Sequence, residues 1–300
     1  MSDEEGRPAL PPLREVIARH GLAARKALGQ HFLLDENLTG RIVRAAGDLS
    51  GRTVIEIGPG PGGLTRALLA ANPREVVAVE LDARAVAALA ELAAARPGRL
   101  RVIEADALET DLVALTAPPR KIVANLPYNV GTRLLLNWLP VIGAFESLTL
   151  MFQKEVAERL IAAPGSKDYG RLSVITQWLC MARRLFDVSQ KAFVPPPKIV
   201  SSVVSLLPRP EPLAPADWDA LSAVTAAAFG QRRKMLRSSL RSLLPEPAPL
   251  LAAAGLSGEM RAEEVDVAGF CALARAWRDF GADGPQRPSR RALTKSPSPI

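Results

Sequence analysis

Short apolar runs alternate with segments of helical periodicity over the first two thirds of the chain. Four runs have the aliphatic composition that is typical of buried strands in a parallel sheet; they are residues 53–57, 75–79, 100–103 and 121–124. Residues 36–46 carry apolar side chains at helical spacing, which predicts an amphipathic helix. This alternation predicts an α/β fold with a parallel sheet.

A glycine or a polar residue follows each of these four runs. In chain order they are Gly58, Glu80, Asp106 and Asn125. The carboxyl ends of parallel strands meet at one edge, where open α/β sheets bind ligands. We therefore expect these residues to line a cofactor cleft, although Asp106 taken alone equally fits a helix N-cap.

The turn after the first run matches the pattern G-x-G-x-x-G between a strand and a helix, at residues 58–63. Glycines at such a turn let the backbone approach a ligand closely. Glu80 stands 22 positions after Gly58, where an acid can accept both hydroxyls of a ribose. The turn predicts a nucleotide-type cofactor, and by itself it also fits a nicotinamide dehydrogenase.

The fourth run leads into Asn125-Leu126-Pro127-Tyr128. The Asn125 carboxamide and a neighbouring carbonyl can accept hydrogen bonds from an amino group, while the Tyr128 ring can stack on a flat heterocycle. We predict that this segment holds an adenine by its N6 amino group. Phe193, shortly before three prolines, has two readings: a second aromatic wall beside that base, or a core side chain ahead of a rigid connector.

A proline-dense segment at residues 208–215 is the clearest boundary in the chain, and residues 217–280 have helical character throughout. We predict a disordered lead at 1–12, a Rossmann-like domain at 13–208, a small all-helical RNA-binding domain at 209–281 and a disordered basic tail at 282–300.

The helical part contains a basic run without an acid, residues 231–241. Arg233, Arg237 and Arg241 repeat every fourth residue, so a continuous helix would place them on one face. Such a face is either a solvated surface or a contact with phosphates, and the absence of acids within the run favours phosphates. The net charge of +7 and the pI near 9.8 also favour an anionic partner.

Cysteines and histidines are too few for several classes of site. Cys180 and Cys271 lie in apolar, helix-like contexts that are typical of buried free thiols. His20 and His31 are the only histidines in the sequence, so we expect no zinc-type metal site and no histidine-based triad. The acidic N-terminus and the lack of a membrane-length apolar run predict a cytoplasmic protein that does not enter a membrane.

Nine segments, taken in order, resemble one family. They are LGQHFL (28–33), IEIGPGPGGLT (55–65), VELD (79–82), ADAL (105–108), NLPYN (125–129), QKEVAERL (153–160), YGRLS (169–173), FVPPPKIVSS (193–202) and AFGQRRK (228–234). Over residues 26–280 the chain resembles the ribosomal RNA adenine N6,N6-dimethyltransferases, in particular the bacterial small-subunit (16S) enzymes. The resemblance implies a Rossmann-like, S-adenosylmethionine-dependent methyltransferase domain followed by a small helical domain.

The resemblance also implies a reaction, in which methyl groups pass from S-adenosylmethionine to N6 of two adjacent adenines in the 3′-terminal hairpin loop of small-subunit rRNA. The expected partners are this rRNA and the assembling small ribosomal subunit, and a metal-free monomer is expected. The catalytic residues implied are Asn125, Leu126, Pro127, Tyr128 and Phe193. The implied cofactor-binding residues are His31, Leu33, Gly58, Gly60, Glu80, Asp106 and Asn125, and the implied RNA-binding residues are Arg232, Arg233, Lys234, Arg237 and Arg241. The family often has asparagine where this chain has His31, so we expect the backbone there to make the cofactor contact.

Other classes of protein share part of this pattern. A dehydrogenase gives no reason for residues 125–128. A DNA adenine methyltransferase has the same tetrapeptide, and the large-subunit rRNA enzymes of macrolide resistance are nearer still. The block at 229–234 and the extended helical region favour the small-subunit family. A non-enzymatic role in subunit assembly, through the basic helical face, is compatible with catalysis.

Overall fold

The computed structural model describes residues 10–22 and 31–282, with side chains described as far as residue 280. The described residues divide into two compact units, one of residues 10–22, 31–161 and 179–210 and the other of residues 162–178 and 211–282. Most of the predicted lead and tail, and residues 28–30 of the first motif, lie outside the described residues.

The first unit is built on a seven-stranded sheet. Its strands, with those of a separate two-stranded pair, are β1 Phe32–Leu33, β2 Thr53–Ile57, β3 Glu75–Glu80, β4 Leu100–Glu104, β5 Arg120–Asn125, β6 Ser147–Gln153, β7 Cys180–Val188, β8 Phe193–Val194 and β9 Ser201–Pro208. The order across the large sheet is β4-β3-β2-β5-β6-β9-β7, and β1 pairs with β8. The strands from β4 to β6 are parallel, and β9 is antiparallel to both of its neighbours. The strand order reverses between β2 and β5, as in doubly wound folds, which confirms the predicted Rossmann-like α/β class.

Helices connect these strands. In the first unit they are α1 Leu13–Arg19, α2 Glu36–Ala45, α3 Gly63–Ala70, α4 Ala83–Ala95, α5 Leu112–Leu115, α6 Gly131–Trp138 and α7 Lys154–Ile161, with 3-10 turns at Leu139–Ala144 and Gln190–Ala192. Aspartates cap three of them, and at α5 Asp111 accepts the N–H groups of Val113 and Ala114. Asp35 accepts the N–H groups of Asn37 and Leu38, and Asp82 accepts that of Arg84. These side chains satisfy backbone donors that have no partner within the helix.

The central strands are buried along their whole length. Val54 and Ile55 in β2, and Val76 and Val77 in β3, are 0% exposed. Successive strand residues point to opposite faces, so both faces of the sheet are covered here. A strand covered on both faces is rich in apolar residues, which makes β2 and β3 recognisable from sequence. All four strand bounds drawn from sequence agree with the observed ones to within one residue at each end.

The second unit is helical. Its elements are α8 Arg171–Leu179, α9 Trp218–Gly230, α10 Leu236–Ser239, α11 Ala248–Ala253 and α12 Val267–Ala282, with 3-10 turns at Leu240–Ser242 and Ala262–Glu264. Its interior includes Phe229 and Phe270, whose ring centroids are 5.4 Å apart. Among the described residues of the whole chain, no helix is both long and apolar enough to cross a bilayer.

Residues 162–178, which the sequence analysis assigns to the domain at 13–208, group with the helical unit. Trp178 stacks on Trp218 with ring centroids 6.2 Å apart, and Tyr169 meets Phe229 edge-on at 6.0 Å. These aromatic contacts span about 40 to 60 residues of sequence, so local pattern does not reveal them. The later boundary, drawn after residue 208, lies two residues from the observed one at Pro210.

Cys180 begins strand β7, directly after helix Arg171–Leu179, rather than lying in a helix as its apolar context suggested. Cys180 and Cys271 are both free and buried, as predicted. Burial raises the pKa of the Cys180 thiol to about 12 and that of Cys271 to about 11, which keeps both thiols protonated and unreactive.

The basic run at 231–241 is not one helix. Helix α9 ends at Gly230, a turn follows, and α10 covers only Leu236–Ser239 before the 3-10 turn begins. Arg233 lies in the turn between α9 and α10, so the predicted helical face of Arg233, Arg237 and Arg241 does not form. Leu236 and Leu240 are 0% exposed. The packing of these apolar side chains, rather than the helical spacing of the arginines, therefore determines the local backbone.

The first glycine of α3 marks a close approach between two chain segments. A Cβ added at Gly63 would lie 2.3 Å from the Leu33 carbonyl oxygen, a backbone atom that cannot move aside cheaply. We expect Gly63→Ala to lower the free energy of unfolding by about 1–3 kcal/mol, measured by urea unfolding. The matched control is Gly143→Ala, because a Cβ there meets nothing within 4 Å. Equal unfolding midpoints for the two variants would show that the close approach does not occur.

Candidate active site

A pocket opens at the carboxyl ends of the central strands in the first unit. Ten of the residues predicted from sequence line it: His31, Leu33, Gly58, Gly60, Glu80, Asp106, Asn125, Leu126, Pro127 and Tyr128. The parallel strands β2, β3, β4 and β5 end side by side, and this brings together residues that are up to 70 positions apart, from Gly58 to Tyr128. The predicted cleft at the switch point is therefore present.

The glycine turn forms the floor of this pocket. Gly58 and Gly60 have φ angles of +64° and +55°, a region that side chains disfavour. A Cβ at Gly60 would lie 2.9 Å from the Phe32 ring, and one at Gly58 would lie 3.3 Å from Pro127. The two glycines thus let the backbone of the turn pack directly against Phe32 and Pro127.

Glu80 holds this turn in place. Its Oε2 accepts the N–H of Gly60 at 3.0 Å, and its Oε1 accepts the N–H groups of Leu81 and Asp82 at 2.9 Å each. A carboxylate offers about four acceptor positions, so three are in use in this arrangement. Two ribose hydroxyls need two acceptor positions and one is unused. The predicted contact with both hydroxyls therefore requires Glu80 to release one of its three backbone N–H hydrogen bonds.

Asp106 lies at the pocket rim. One carboxylate oxygen, Oδ1, accepts the N–H of Leu108 at 2.9 Å and so closes a local turn. The next helix begins only at Leu112 and is capped by Asp111, so Asp106 is not the helix N-cap that its position alone suggested. The side chain is exposed, and it lines the same pocket as Glu80. Its turn role and a cofactor contact through Oδ2 are compatible.

Asn125, the last residue of β5, has an unused acceptor in this pocket. Its Nδ2 donates to the His31 carbonyl at 3.1 Å, which determines the orientation of the amide. Its Oδ1 is buried and has no hydrogen-bond partner among the described residues. A buried acceptor without a donor costs about 1–3 kcal/mol. This atom therefore fits a ligand that brings an N–H group.

Tyr128 presents an aromatic face next to that acceptor. Its hydroxyl is hydrogen-bonded to Ser201 Oγ, and burial raises the pKa of Tyr128, so the ring stays neutral. The His31 ring stacks on Tyr128 with centroids 5.3 Å apart and an interplanar angle of 30°. Amide acceptor and aromatic face are thus adjacent, as an adenine-binding site requires.

Phe193 lies in the core, the second of its two readings. Its side chain is 2% exposed, because β8 pairs with β1 and sets Phe193 opposite Leu33. The ring meets His31 edge-on at 6.4 Å. Its direct contact with a target base stays a prediction, and it would require the ring to leave the core.

Glu56 was missed by the sequence analysis although it lines the pocket. It is 2% exposed, and Thr65 Oγ1 donates to its Oε2 at 2.6 Å. Burial, with a smaller contribution from Glu80, raises the pKa of Glu56 to about 8 against the opposing effect of the Thr65 hydrogen bond. The sequence does contain a signal for this residue, because Glu56 is the one acid inside the apolar run 53–57. A buried acid needs a hydrogen-bond or charge partner.

The predicted RNA-binding residues differ in their partners within the second unit. Arg232 pairs with Glu263 at 2.9 Å and donates to the backbone carbonyls of Ser166 and Lys167. Arg237 pairs with Glu259 at 3.6 Å. The acids missing from the basic run are therefore supplied by residues some 20 to 30 positions away.

Three cations of that run keep exposed side chains, and no partner is seen for them among the described residues. They are Arg233, Lys234 and Arg241. An exposed cation without a neutralising acid can contact a phosphate at little desolvation cost.

Two solved structures share this fold. A dimethyladenosine transferase from Plasmodium falciparum superposes with a TM-score of 0.73 at 25% identity, covering 84% of this chain and 98% of that chain. The 23S rRNA methyltransferase ErmE superposes with a TM-score of 0.60 at 28% identity, covering 82% and 99%. Fold and pocket together define a Rossmann-like methyltransferase.

Sequence comparison narrows this class to one family. A family profile described as ribosomal RNA adenine dimethylase matches residues 21–279. A Rhodospirillum rubrum protein named ribosomal RNA small subunit methyltransferase A is 64% identical over 267 residues, which is 89% of this chain and 92% of that protein. A protein of the same name from Paramagnetospirillum magneticum is 63% identical over 277 residues, covering 92% and 98%.

The chain belongs to the ribosomal RNA adenine dimethylase family, and it is an rRNA adenine dimethyltransferase. Methyltransferases of this kind use S-adenosylmethionine in general. The predictions of family and enzyme class are confirmed.

The raised pKa of Glu56 makes stability depend on pH. Between its ordinary value of 4.5 and about 8, the folded chain retains a proton that the unfolded chain releases. This stabilisation is complete below the lower value and is lost as the pH rises through the upper one, by at most about 1.4 kcal/mol per pH unit. We expect Glu56→Gln to unfold at lower urea concentration than the unsubstituted protein at pH 5 and to close or reverse this gap at pH 9. Parallel unfolding curves across this range would contradict the buried, protonated carboxyl.

Proposed function

We propose that this enzyme transfers methyl groups from S-adenosylmethionine to N6 of two adjacent adenines in the 3′-terminal hairpin loop of small-subunit rRNA, dimethylating each. The observation that carries the proposal is the unpaired Asn125 Oδ1 beside the Tyr128 ring, an acceptor that an adenine amino group satisfies. The names of the relatives at 63–64% identity support the small-subunit substrate.

The pocket residues fit the adenosyl cofactor. Gly58 and Gly60 leave the backbone open to its methionine part, Glu80 receives its ribose and Asp106 its adenine. The backbone of His31 and Leu33 would close the pocket from the β1 side. When bound, the cofactor supplies an electrophilic methyl carbon carried on a sulfonium.

The task of the protein is to make the adenine nitrogen nucleophilic. Its lone pair is delocalised into the ring, so the amine reacts poorly. In the first transfer Asn125 Oδ1 and the Leu126 carbonyl would accept hydrogen bonds from its two N–H groups, which localises the lone pair and aims it at the methyl carbon. As the N–C bond forms the S–C bond breaks, and the methylated nitrogen then releases one N–H proton to water. In the second transfer N6-methyladenine has one N–H left to donate. The ring of Pro127 fixes the backbone φ angle between Leu126 and Tyr128. This arrangement needs no strong base.

The base must leave its helix or stack to reach this site. Tyr128 then replaces the lost base stacking, which favours an unpaired loop as substrate. We propose that Phe193 supports this site from the core, where its ring lies edge-on to His31. A pocket that dimethylates must also accept N6-methyladenine.

RNA contacts are proposed for the helical part, residues 209–281. The exposed cations Arg233, Lys234 and Arg241 are the primary phosphate contacts. Arg232 and Arg237 join them only when they exchange their carboxylate partners for phosphates. We further propose that the enzyme acts as a monomer on assembling small subunits in the cytoplasm.

Removal of the unpaired acceptor is the first test of this function. We expect Asn125→Ala to lower methyl transfer to small-subunit rRNA by about a hundredfold or more, while cofactor affinity stays within about tenfold. Labelled methyl transfer and calorimetric titration with S-adenosylmethionine measure the two effects. The control is Asn37→Ala, an exposed asparagine in α2, which should leave transfer unchanged. Full methyl-transfer activity in Asn125→Ala would contradict the proposed mechanism.

The phosphate contacts are tested by salt dependence. We expect Arg233→Glu and Arg241→Glu each to weaken hairpin binding and to flatten the slope of log affinity against log salt by about 0.7. Filter binding between low and physiological salt measures the slope. Arg278→Glu makes the same charge change at an arginine that pairs with Asp279, and it is the matched control. A salt slope equal to that of Arg278→Glu would show that the substituted residue, Arg233 or Arg241, does not contact RNA phosphates.

A further inference from the structure

A buried serine holds the far end of the Tyr128 ring. Ser201 Oγ is hydrogen-bonded to the Tyr128 hydroxyl, across 73 positions of sequence. Ser201 is 0% exposed, and it is not among the described residues that line the pocket. It is thus placed to act on a bound base only through Tyr128.

The backbone of Ser201 is held on both sides. Ser201 is the first residue of β9, where it pairs with Gln153 of β6 and with Val188 of β7. The carbonyl of the preceding residue, Val200, accepts the N–H of Lys154 at 2.9 Å. A residue that is paired between two strands has little freedom to move. The Ser201 hydroxyl is therefore a fixed point at this end of the sheet.

The side chain of Tyr128 needs such a point, because its backbone lies in the turn between β5 and α6. The backbone hydrogen bonds of this turn run from Val130 and Gly131 to the Pro127 carbonyl, so the ring of Tyr128 is oriented by its own contacts. Its hydroxyl is the far end of the long axis of the ring, and a phenolic O–H prefers the ring plane. One hydrogen bond there restricts both the swing and the tilt of the ring.

The next residue makes a comparable contact elsewhere. Successive strand residues point to opposite faces of a sheet, and Ser202 Oγ donates to Asp187 Oδ1 at 2.7 Å. Ser202 is also 0% exposed. Strand β9 therefore begins with two buried serines, of which Ser201 is hydrogen-bonded to a pocket residue and Ser202 to an acid outside the pocket.

We propose that Ser201 is a positioning residue for methyl transfer, and that its hydroxyl holds the Tyr128 ring in the orientation in which the target adenine stacks. This inference rests on the proposed function, which supplies the adenine. With the ring fixed, N6 of the stacked base has one position relative to Asn125 Oδ1 and the methyl donor. Without the anchor the ring swings, and fewer bound bases are aligned for attack. The RNA stays bound, because phosphate contacts dominate its affinity.

Two pairs of variants isolate the Ser201 hydroxyl. Ser201→Thr and Ser201→Val have branched side chains of the same shape, and only threonine retains a hydroxyl. Ser201→Ala and Ser202→Ala make the same change at neighbouring buried positions, and each loses one hydrogen bond. Urea unfolding and calorimetric titration with S-adenosylmethionine verify that each variant is folded and binds the cofactor.

The measurement is the rate of methyl transfer in a single turnover at saturating small-subunit rRNA and cofactor. We expect Ser201→Ala and Ser201→Val to slow this step by about five- to tenfold, within the range of one lost hydrogen bond. Ser201→Thr and Ser202→Ala should stay within about twofold of the unsubstituted protein. The affinities for rRNA and for S-adenosylmethionine should change by less than about twofold in all four variants.

A double variant tests whether Ser201 acts through Tyr128. Tyr128→Phe removes the other half of the same hydrogen bond, so it should slow transfer about as much as Ser201→Ala does. In the double variant the two losses should not add, because the interaction is already absent.

Three outcomes would overturn the inference. They are equal transfer rates in Ser201→Ala and Ser202→Ala, equal rates in Ser201→Thr and Ser201→Val, and additive losses in the double variant with Tyr128→Phe. Failure of the proposed function itself is distinguishable, because the unsubstituted protein would then not methylate adenine N6 in small-subunit rRNA.

Discussion

The hydrogen bond from the Gly60 N–H to the Glu80 carboxylate determines the geometry of the pocket, because it joins the ends of two neighbouring strands. Strand β2 runs into the glycine turn, and β3 ends at Glu80 beside it. The turn must lack side chains to sit there, since a Cβ at Gly60 would press on Phe32. Phe32 in the short strand β1 therefore packs directly against this turn.

Charge in the pocket is limited by the same arrangement. Glu56 lies in the strand below the turn, and the negative charge of Glu80 adds to burial in raising the pKa of Glu56 to about 8. Two neighbouring carboxylates are costly to ionise together in a low dielectric. At neutral pH a protonated Glu56 therefore adds no negative charge beside the Glu80 carboxylate, which accepts three backbone N–H groups.

Sequence predicts the residues that local constraints select. An apolar run identifies a strand, and the polar residue at its carboxyl end identifies the pocket edge, so Glu80 and Asn125 could be found without a structure. Contacts between distant segments could not. The pairing of Arg232 with Glu263, the packing of residues 162–178 with the helical unit and the stacking of His31 on Tyr128 join residues that are tens of positions apart. Nothing in the local pattern distinguishes them from alternatives.

Position 31 combines two contributions that depend on different parts of the residue. The backbone carbonyl orients the Asn125 amide and leaves Oδ1 unpaired, and any residue type could supply it. The stacking on Tyr128 depends on the imidazole. An asparagine at this position would preserve the acceptor geometry and lose the ring that stacks on Tyr128. Phe193, edge-on to His31 with ring centroids 6.4 Å apart, is the aromatic side chain next to that position.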